Sequence, residues 1–278
     1  DERVYPLAQP QLLEAWSAFW AKNKSMAKAI IARASLLRSK TDDFLKDKKL
    51  IKKVGQANKK LQSKLAPVVG NIPADKRELF IVEGDSAGGS AIRARNKSFQ
   101  AIYPLKGKPL NAMEASKDKI QNNAEIVGLL AAIGVGAESK SAKGFVPSYG
   151  KIILLADADV DGSHVNTLLL GNLHKFCPSL IDNGHVYTVR SPLYKGRHKN
   201  VVYFGMTREE VWKQAGAQCD TTYLKGWGEL SPEDMNVALD PEVRTLFRII
   251  ATTSSKTTEF RALLGKSPDY RKQLLGVA

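Results

Sequence analysis

Cysteine is scarce in this chain: Cys177 and Cys219 are the only two among 278 residues. Two thiols cannot build a disulfide framework or a cysteine-rich zinc site. Their scarcity fits a reducing, cytoplasmic compartment. No run of about 18 apolar residues occurs, so no membrane-spanning helix is expected. The chain opens on Asp1 without a signal-peptide pattern. Histidine is limited to His164, His174, His185 and His198. No Ser/His/Asp or Cys/His arrangement for nucleophilic catalysis accompanies them. Internal repeats and low-complexity tracts are also missing. Acid is short relative to base, with 28 Asp and Glu against 42 Lys and Arg, a formal charge of +14. An excess of this sign favours polyanions, either nucleic acid or an anionic membrane surface. Residues 1–77 hold 17 basic and 7 acidic residues, so +10 of the +14 lies there. A solvated charged helix accounts for that excess as simply as a polyanion contact does.

What is present suffices for a core: 43% of residues are hydrophobic and 25% charged. Apolar residues recur at helical spacing through Leu12, Leu13, Trp16, Phe19 and Trp20, then Met26, Ile30, Ile31, Leu36 and Leu37. Residues 10–65 therefore read as helical, with the polar stretch Ser39–Asp47 as a candidate break. Pro67, Gly70, Asn71 and Pro73 make a loop. Strand-like and helix-like segments then alternate. ELFIVE at 78–83, 100–105, KIILLA at 151–156, 185–189 and 201–204 read as strands. Residues 86–95, 125–133, 165–176, 207–215 and 231–239 read as helices. The alternation predicts an α/β domain with a mainly parallel sheet flanked by helices. We expect a helical segment over 1–77, a metal-binding domain over 78–192 and an α+β tail over 193–278.

The sharpest motif is Asp157-Ala158-Asp159-Val160-Asp161-Gly162, directly after the apolar strand. If the strand continues, the three carboxylates project to one side. They stand where a parallel strand ends, the edge at which α/β folds bind ligands. Clustered anions repel unless a cation neutralises them, and hard oxygen donors suit Mg²⁺. The plain alternative is an acidic cap on a helix starting near Ser163. An EF-hand is disfavoured, because its twelfth position is Leu168. A second turn, Glu83-Gly84-Asp85-Ser86-Ala87-Gly88-Gly89-Ser90-Ala91, also follows a strand and places Glu83 at the same edge. It lacks the Gly-Lys-Ser ending of a P-loop, and alone it is an ordinary strand–helix turn. Pro104-Leu105-Lys106-Gly107-Lys108 is basic and glycine-broken. It suits a phosphodiester beside a metal, or a simple exposed loop.

Together these motifs resemble one family. EGDSAGGSA at 83–91, PLKGKPLN at 104–111, DADVDGSH at 157–164, PLYK at 192–195 and KGWGEL at 225–230 stand in the order of the B subunits of bacterial-style type IIA topoisomerases, the gyrase B and topoisomerase IV B type. The acid followed by three aspartates resembles the TOPRIM signature, which implies a Rossmann-like fold. Trp227 replaces the usual Leu and Asn166 the usual Arg. Neither substitution is expected to touch the metal ligands, and both suggest a divergent phage or plasmid member.

The resemblance implies that Glu83, Asp157 and Asp159 bind catalytic Mg²⁺, with Asp161 sharing a second position and Mn²⁺ or Ca²⁺ able to substitute. It implies that Glu83 doubles as general acid–base, that Lys106 contacts phosphate, and that Asp85, Ser86, Lys106, Lys108 and His164 lie near DNA or the drug pocket. Implied partners are double-stranded DNA and an A-type subunit carrying the nucleophilic tyrosine, in an A₂B₂ assembly. ATP would act only through an ATPase domain outside this sequence, on the same or a separate chain. The competing readings are a stand-alone TOPRIM nuclease and a non-catalytic scaffold for DNA and partner.

Overall fold

The computed structural model describes residues 5–60, 64–135, 147–250 and 256–277. The chain divides into two compact units, Asp1–Lys49 and Leu50–Ala278. Its opening is helical: α1 spans Tyr5–Lys22 and α2 Lys24–Lys60, with Asn23 between them. The break expected at Ser39–Asp47 does not occur. That stretch contains no glycine or proline, and its residues tolerate a helix, so polarity alone does not interrupt one.

The larger unit continues with β1 (Glu78–Glu83), α3 (Asp85–Ala94), β2 (Gln100–Leu105), α4 (Lys117–Asn122), α5 (Ala124–Ile133), β3 (Lys151–Leu155), α6 (Val160–Phe176), α7 (Pro178–Asp182) and β4 (Val186–Val189). It goes on through β5 (Tyr194–His198), β6 (Val201–Gly205), α8 (Arg208–Ala215), β7 (Thr221–Tyr223), α9 (Pro232–Leu239), β8 (Leu246–Arg248), α10 (Lys256–Leu264) and α11 (Asp269–Leu274). The main sheet runs β2-β1-β3-β4-β8. Its first four strands are parallel, and β8 joins β4 antiparallel. The fold is thus the mainly parallel α/β sheet that the strand–helix alternation predicts, and the Rossmann-like one that the resemblance implies.

Both faces of this sheet are covered, which is why its strands read as near-continuous apolar runs. Along β1, Leu79 and Ile81 enter one core, with Tyr103, Ile152, Leu154 and the helices α5 and α6. Phe80 and Val82 enter the other, with Ile153, Leu155 and Trp227. Alternate residues of a strand face opposite sides, so one hydrophobic strand seeds two cores. Pro104 lies in β2, an edge strand, where the missing N–H costs least. Ala66 pairs with Ile102 on the outer side of β2 and covers part of that edge.

Residues after 192 do not simply trail away. A three-stranded antiparallel sheet, β6-β5-β7, forms first. The chain then returns: α9 packs on α3, and β8 completes the main sheet. Asp234 on α9 is buried and holds two cations of β5, Lys195 at 2.9 Å and Arg197 at 3.0 Å. Lys195 of the PLYK motif thus has a structural partner. Among the described residues no helix is long and apolar enough to cross a membrane.

Candidate functional site

Parallel pairing decides where the acids stand. Val82 is in register with Leu155 on one side and with Pro104 on the other. The turns that follow β1, β3 and β2 therefore leave the same edge of the sheet, carrying Glu83–Ser86, Asp157–Asp159 and Lys106–Lys108. Gly84, at φ +78°, makes the first turn and caps α3; a side chain there would be strained. Gly88 lets α3 lie on β2, since a Cβ would come within 2.8 Å of Pro104 Cβ.

The aspartate run does not form the extended comb expected of a continuing strand. The strand ends at Leu155 and α6 begins at Val160, ahead of the expected start near Ser163. Asp159 is its N-cap: Oδ1 accepts from Gly162 N–H at 2.7 Å. The plain reading of an acidic helix cap therefore holds for one of the three carboxylates. Asp161 lies in the first turn of α6, where Lys108 Nζ donates to its Oδ1 at 2.7 Å. This pair is exposed, and the lysine holds the Asp161 carboxyl below its usual range. Gly162 packs against the Asp157 backbone, where a Cβ would come within 2.3 Å of the carbonyl oxygen.

Glu83 and Asp157 form the inner pair. Burial raises the Glu83 carboxyl above its ordinary value, and the nearby Asp157, Asp159 and Asp161 charges push the same way against a backbone N–H of Asp157. Glu83 Oε2 is buried without a hydrogen-bond partner. Asp157 is raised as well, first by burial and then by Asp159 and Glu229, while the Trp227 N–H opposes the rise. That N–H donates to Asp157 Oδ1 at 2.8 Å. The Trp227 indole N–H donates to Ala156 O at 3.0 Å. The residue that departs from the family pattern thus meets the acids through its main chain, a contact that any residue but proline could make at this position. Asn166 leaves its Oδ1 buried without a partner.

Asp85, Ser86, Lys106, Lys108 and His164 are all exposed around this edge. Lys106 N–H donates to Glu125 at 3.3 Å, and Lys64 joins the same carboxylate at 2.5 Å. Among the described residues no three Asp, Glu, His or Cys side chains converge on one ion position. The reason is visible in the bonds: Asp159 is turned to its cap and Asp161 to Lys108. The donor set nonetheless fits a hard divalent cation. It consists of carboxylate oxygens, it includes a buried unpartnered one, and Mg²⁺ takes few protein ligands, with water completing the shell.

Burial of Glu83, with the Asp157 charge beside it, sets a pH dependence for the metal-free chain. A carboxyl raised in the folded state binds protons more tightly there than in the unfolded chain. Its stabilising contribution is present below the ordinary 4.5 of Glu83 and is lost as pH rises through the raised folded value. In EDTA, Glu83→Gln is therefore expected to melt above the parent near neutral pH, with the difference closing below pH 4.5. Thermal melts across that range check it, and a Gln variant less stable at neutral pH would contradict it.

Residues 78–190 match the Toprim domain family, and strands β1 to β4 with the acidic edge fall within them, while β8 lies outside. Over nearly its whole length the chain is also similar to the B subunit of DNA gyrase. It is 37% identical to the gyrase B protein of Haloferax volcanii over 267 residues, 92% of this chain and 41% of the relative. It is 31% identical to that of Thermotoga maritima over 287 residues, 99% and 44%. Against Thermus thermophilus the identity is 35% over 264 residues, 91% and 42%. Residues 78–190 are thus a Toprim domain, set in a chain that is similar to gyrase B proteins over nearly its whole length. It spans less than half the length of these relatives.

Proposed function

We propose that this chain is the DNA cleavage and religation core of a type IIA topoisomerase, supplying metal ligands to a tyrosine on a partner subunit. The observation that carries the reading is the Glu83–Asp157 pair: two charge-coupled carboxylates at adjacent ends of parallel strands, one with a buried unpartnered oxygen. Glu83, Asp157 and Asp159 would hold Mg²⁺, and Asp161 a second position on leaving Lys108. When bound, Mg²⁺ stabilises charge on the attacked phosphate and the departing oxygen. Glu83 would also serve as general acid–base for the departing 3′ oxygen, its proton returning on religation. Lys106 and Lys108, exposed beside the acids, meet the phosphodiester backbone. The partners under this reading are double-stranded DNA and an A-type subunit, in an A₂B₂ assembly coupled to an ATPase domain.

The test combines this chain with an A-type subunit, supercoiled plasmid and Mg²⁺, then traps with detergent and protease. Linear DNA with protein on its 5′ ends, lost when EDTA precedes the trap, is the expected result. Metal-dependent nicking by this chain alone would point instead to a stand-alone nuclease. A confirmed complex that never cleaves would point to a scaffold.

A further inference from the structure

The acidic edge is not held by the Toprim strands alone. The loop Lys225–Glu229 arrives from 68 or more residues further along the chain and closes over Asp157. It is anchored at both ends, at its start by a hydrogen bond and at its end by Leu230, which is buried in the core, and bonds within the loop brace it. Leu224 N–H donates to Leu193 O at 2.8 Å, tying the loop to the three-stranded sheet. Leu230 N–H donates to Trp227 O at 3.2 Å, and Lys225 N–H to Glu229 Oε2 at 3.1 Å. Between these anchors the Trp227 ring is only 2% exposed and sits in the core beneath β1 and β3. Its indole N–H fixes it to Ala156 O, the residue before the carboxylate.

That anchoring aims two main-chain features at one carboxylate. Trp227 N–H donates to Asp157 Oδ1. Gly226 lies flat against the same group: a Cβ there would fall within 2.4 Å of both Asp157 Cγ and Oδ2, and 2.5 Å of Oδ1. The Gly226 backbone is extended, at φ −175° and ψ 176°. Any residue could adopt it, so the need for glycine is contact and not conformation. Gly228 in the same loop differs. A Cβ there would meet the Ser86 hydroxyl at 3.2 Å, the end of a small rotatable side chain.

We infer that Lys225–Glu229 is a positioning loop for Asp157, with Gly226 as the contact surface and the Trp227 N–H as the orienting donor. The inference rests on the proposed role of Asp157 as a metal ligand. A donor to one carboxylate oxygen fixes the group's rotation and leaves the second oxygen to face a cation; outer-shell contacts of this kind typically change metal affinity by about 10- to 100-fold. It also places Asp157 under the control of the β5-β6-β7 sheet, from which the loop departs.

The test is Mn²⁺ affinity of the full chain by titration calorimetry, with no DNA or partner present. Gly226→Ala is expected to weaken Mn²⁺ binding about tenfold or more, with its metal-free melting temperature near that of the parent. Gly228→Ala, in the same loop, is expected to keep the parental affinity. Equal losses in the two variants, or parental affinity in folded Gly226→Ala, would overturn the inference. Asp157→Asn separates it from the reading beneath it. If that variant binds Mn²⁺ as the parent does, the metal-ligand reading fails; if it loses binding and Gly226→Ala does not, only the positioning role fails. Should Gly226→Ala not fold, fluorescence decides. Mn²⁺ must quench the emission component that disappears in Trp227→Leu, and no quenching of that component overturns the proposal.

Discussion

Asp157→Asn is expected to reduce DNA cleavage by the reconstituted assembly on the order of a thousandfold, equivalent to several kcal/mol of lost charge stabilisation. The substitution is chosen for what it keeps. Asparagine retains an oxygen in the place of Oδ1, so the Trp227 N–H still has its acceptor and the loop stays docked. Only the negative charge and one donor oxygen disappear. Asp159→Asn works the same way, because asparagine caps a helix about as well as aspartate, and the bond to Gly162 N–H survives. Each variant is therefore expected to stay folded while failing to cleave, Asp157→Asn melting at or above the parent in EDTA because burial raises its carboxyl as it does that of Glu83. Asp161→Asn breaks an exposed pair with Lys108, and its effect on cleavage is expected to be the smallest of the three. Trapped linear product, measured against Mg²⁺ concentration, is the readout. Parental cleavage by Asp157→Asn at limiting Mg²⁺ would remove it from the ligand set.

How the site could be read from sequence depends on the distance over which each contact acts. Glu83 and Asp157 were legible, because apolar strands followed at once by small or acidic residues mark the carboxyl ends of a parallel sheet. The orientation of the aspartate run was not. Alternation on an extended chain and the first turn of a helix place the same residues differently, and the bond from Gly162 to Asp159 selects the helix. The part played by Gly226 and Trp227 lay further out of reach. KGWGEL was visible as a motif, but the contact joins residues 70 positions apart. The nearness of Glu229 to Asp157 was missed for the same reason. In the fold, three-residue β8 carries no periodic signal, so the return of the tail to the main sheet could not be seen. The first unit shows the opposite case. Its helical spacing was plain, yet Trp16, Ile31 and Leu37 are each more than half exposed, because spacing reports a face and not what covers it.

The largest stability loss is expected from Glu78→Ala, at the end of β1 opposite the acidic edge. Glu78 is buried, and its carboxylate accepts from Arg244, from Lys151 Nζ at 3.3 Å and from Gln100 Nε2 at 3.3 Å. The Arg244 side chain is 2% exposed, lies over the Phe80 ring at 5.4 Å and also donates to Leu239 O at 2.8 Å. Removing the acid leaves that guanidinium charged, desolvated and short of its counterion, a loss of about 3–5 kcal/mol. Against a typical net stability of about 5–15 kcal/mol, the variant would stand near its folding threshold. The pair itself is a different quantity from the cost of breaking it. Replacing both partners with apolar residues of similar size is often neutral, so Glu78→Met with Arg244→Met is expected to recover most of the loss. Urea midpoints at constant m-value measure both. A Glu78→Ala variant within about 1 kcal/mol of the parent would show that Lys151 and Gln100, or water, compensate Arg244. The pair ties Arg244, just ahead of β8, to the start of β1, so its loss should loosen the returning tail while leaving the strand ends that carry Glu83 and Asp157 in place. Mn²⁺ affinity of the surviving folded fraction is accordingly expected to match the parent.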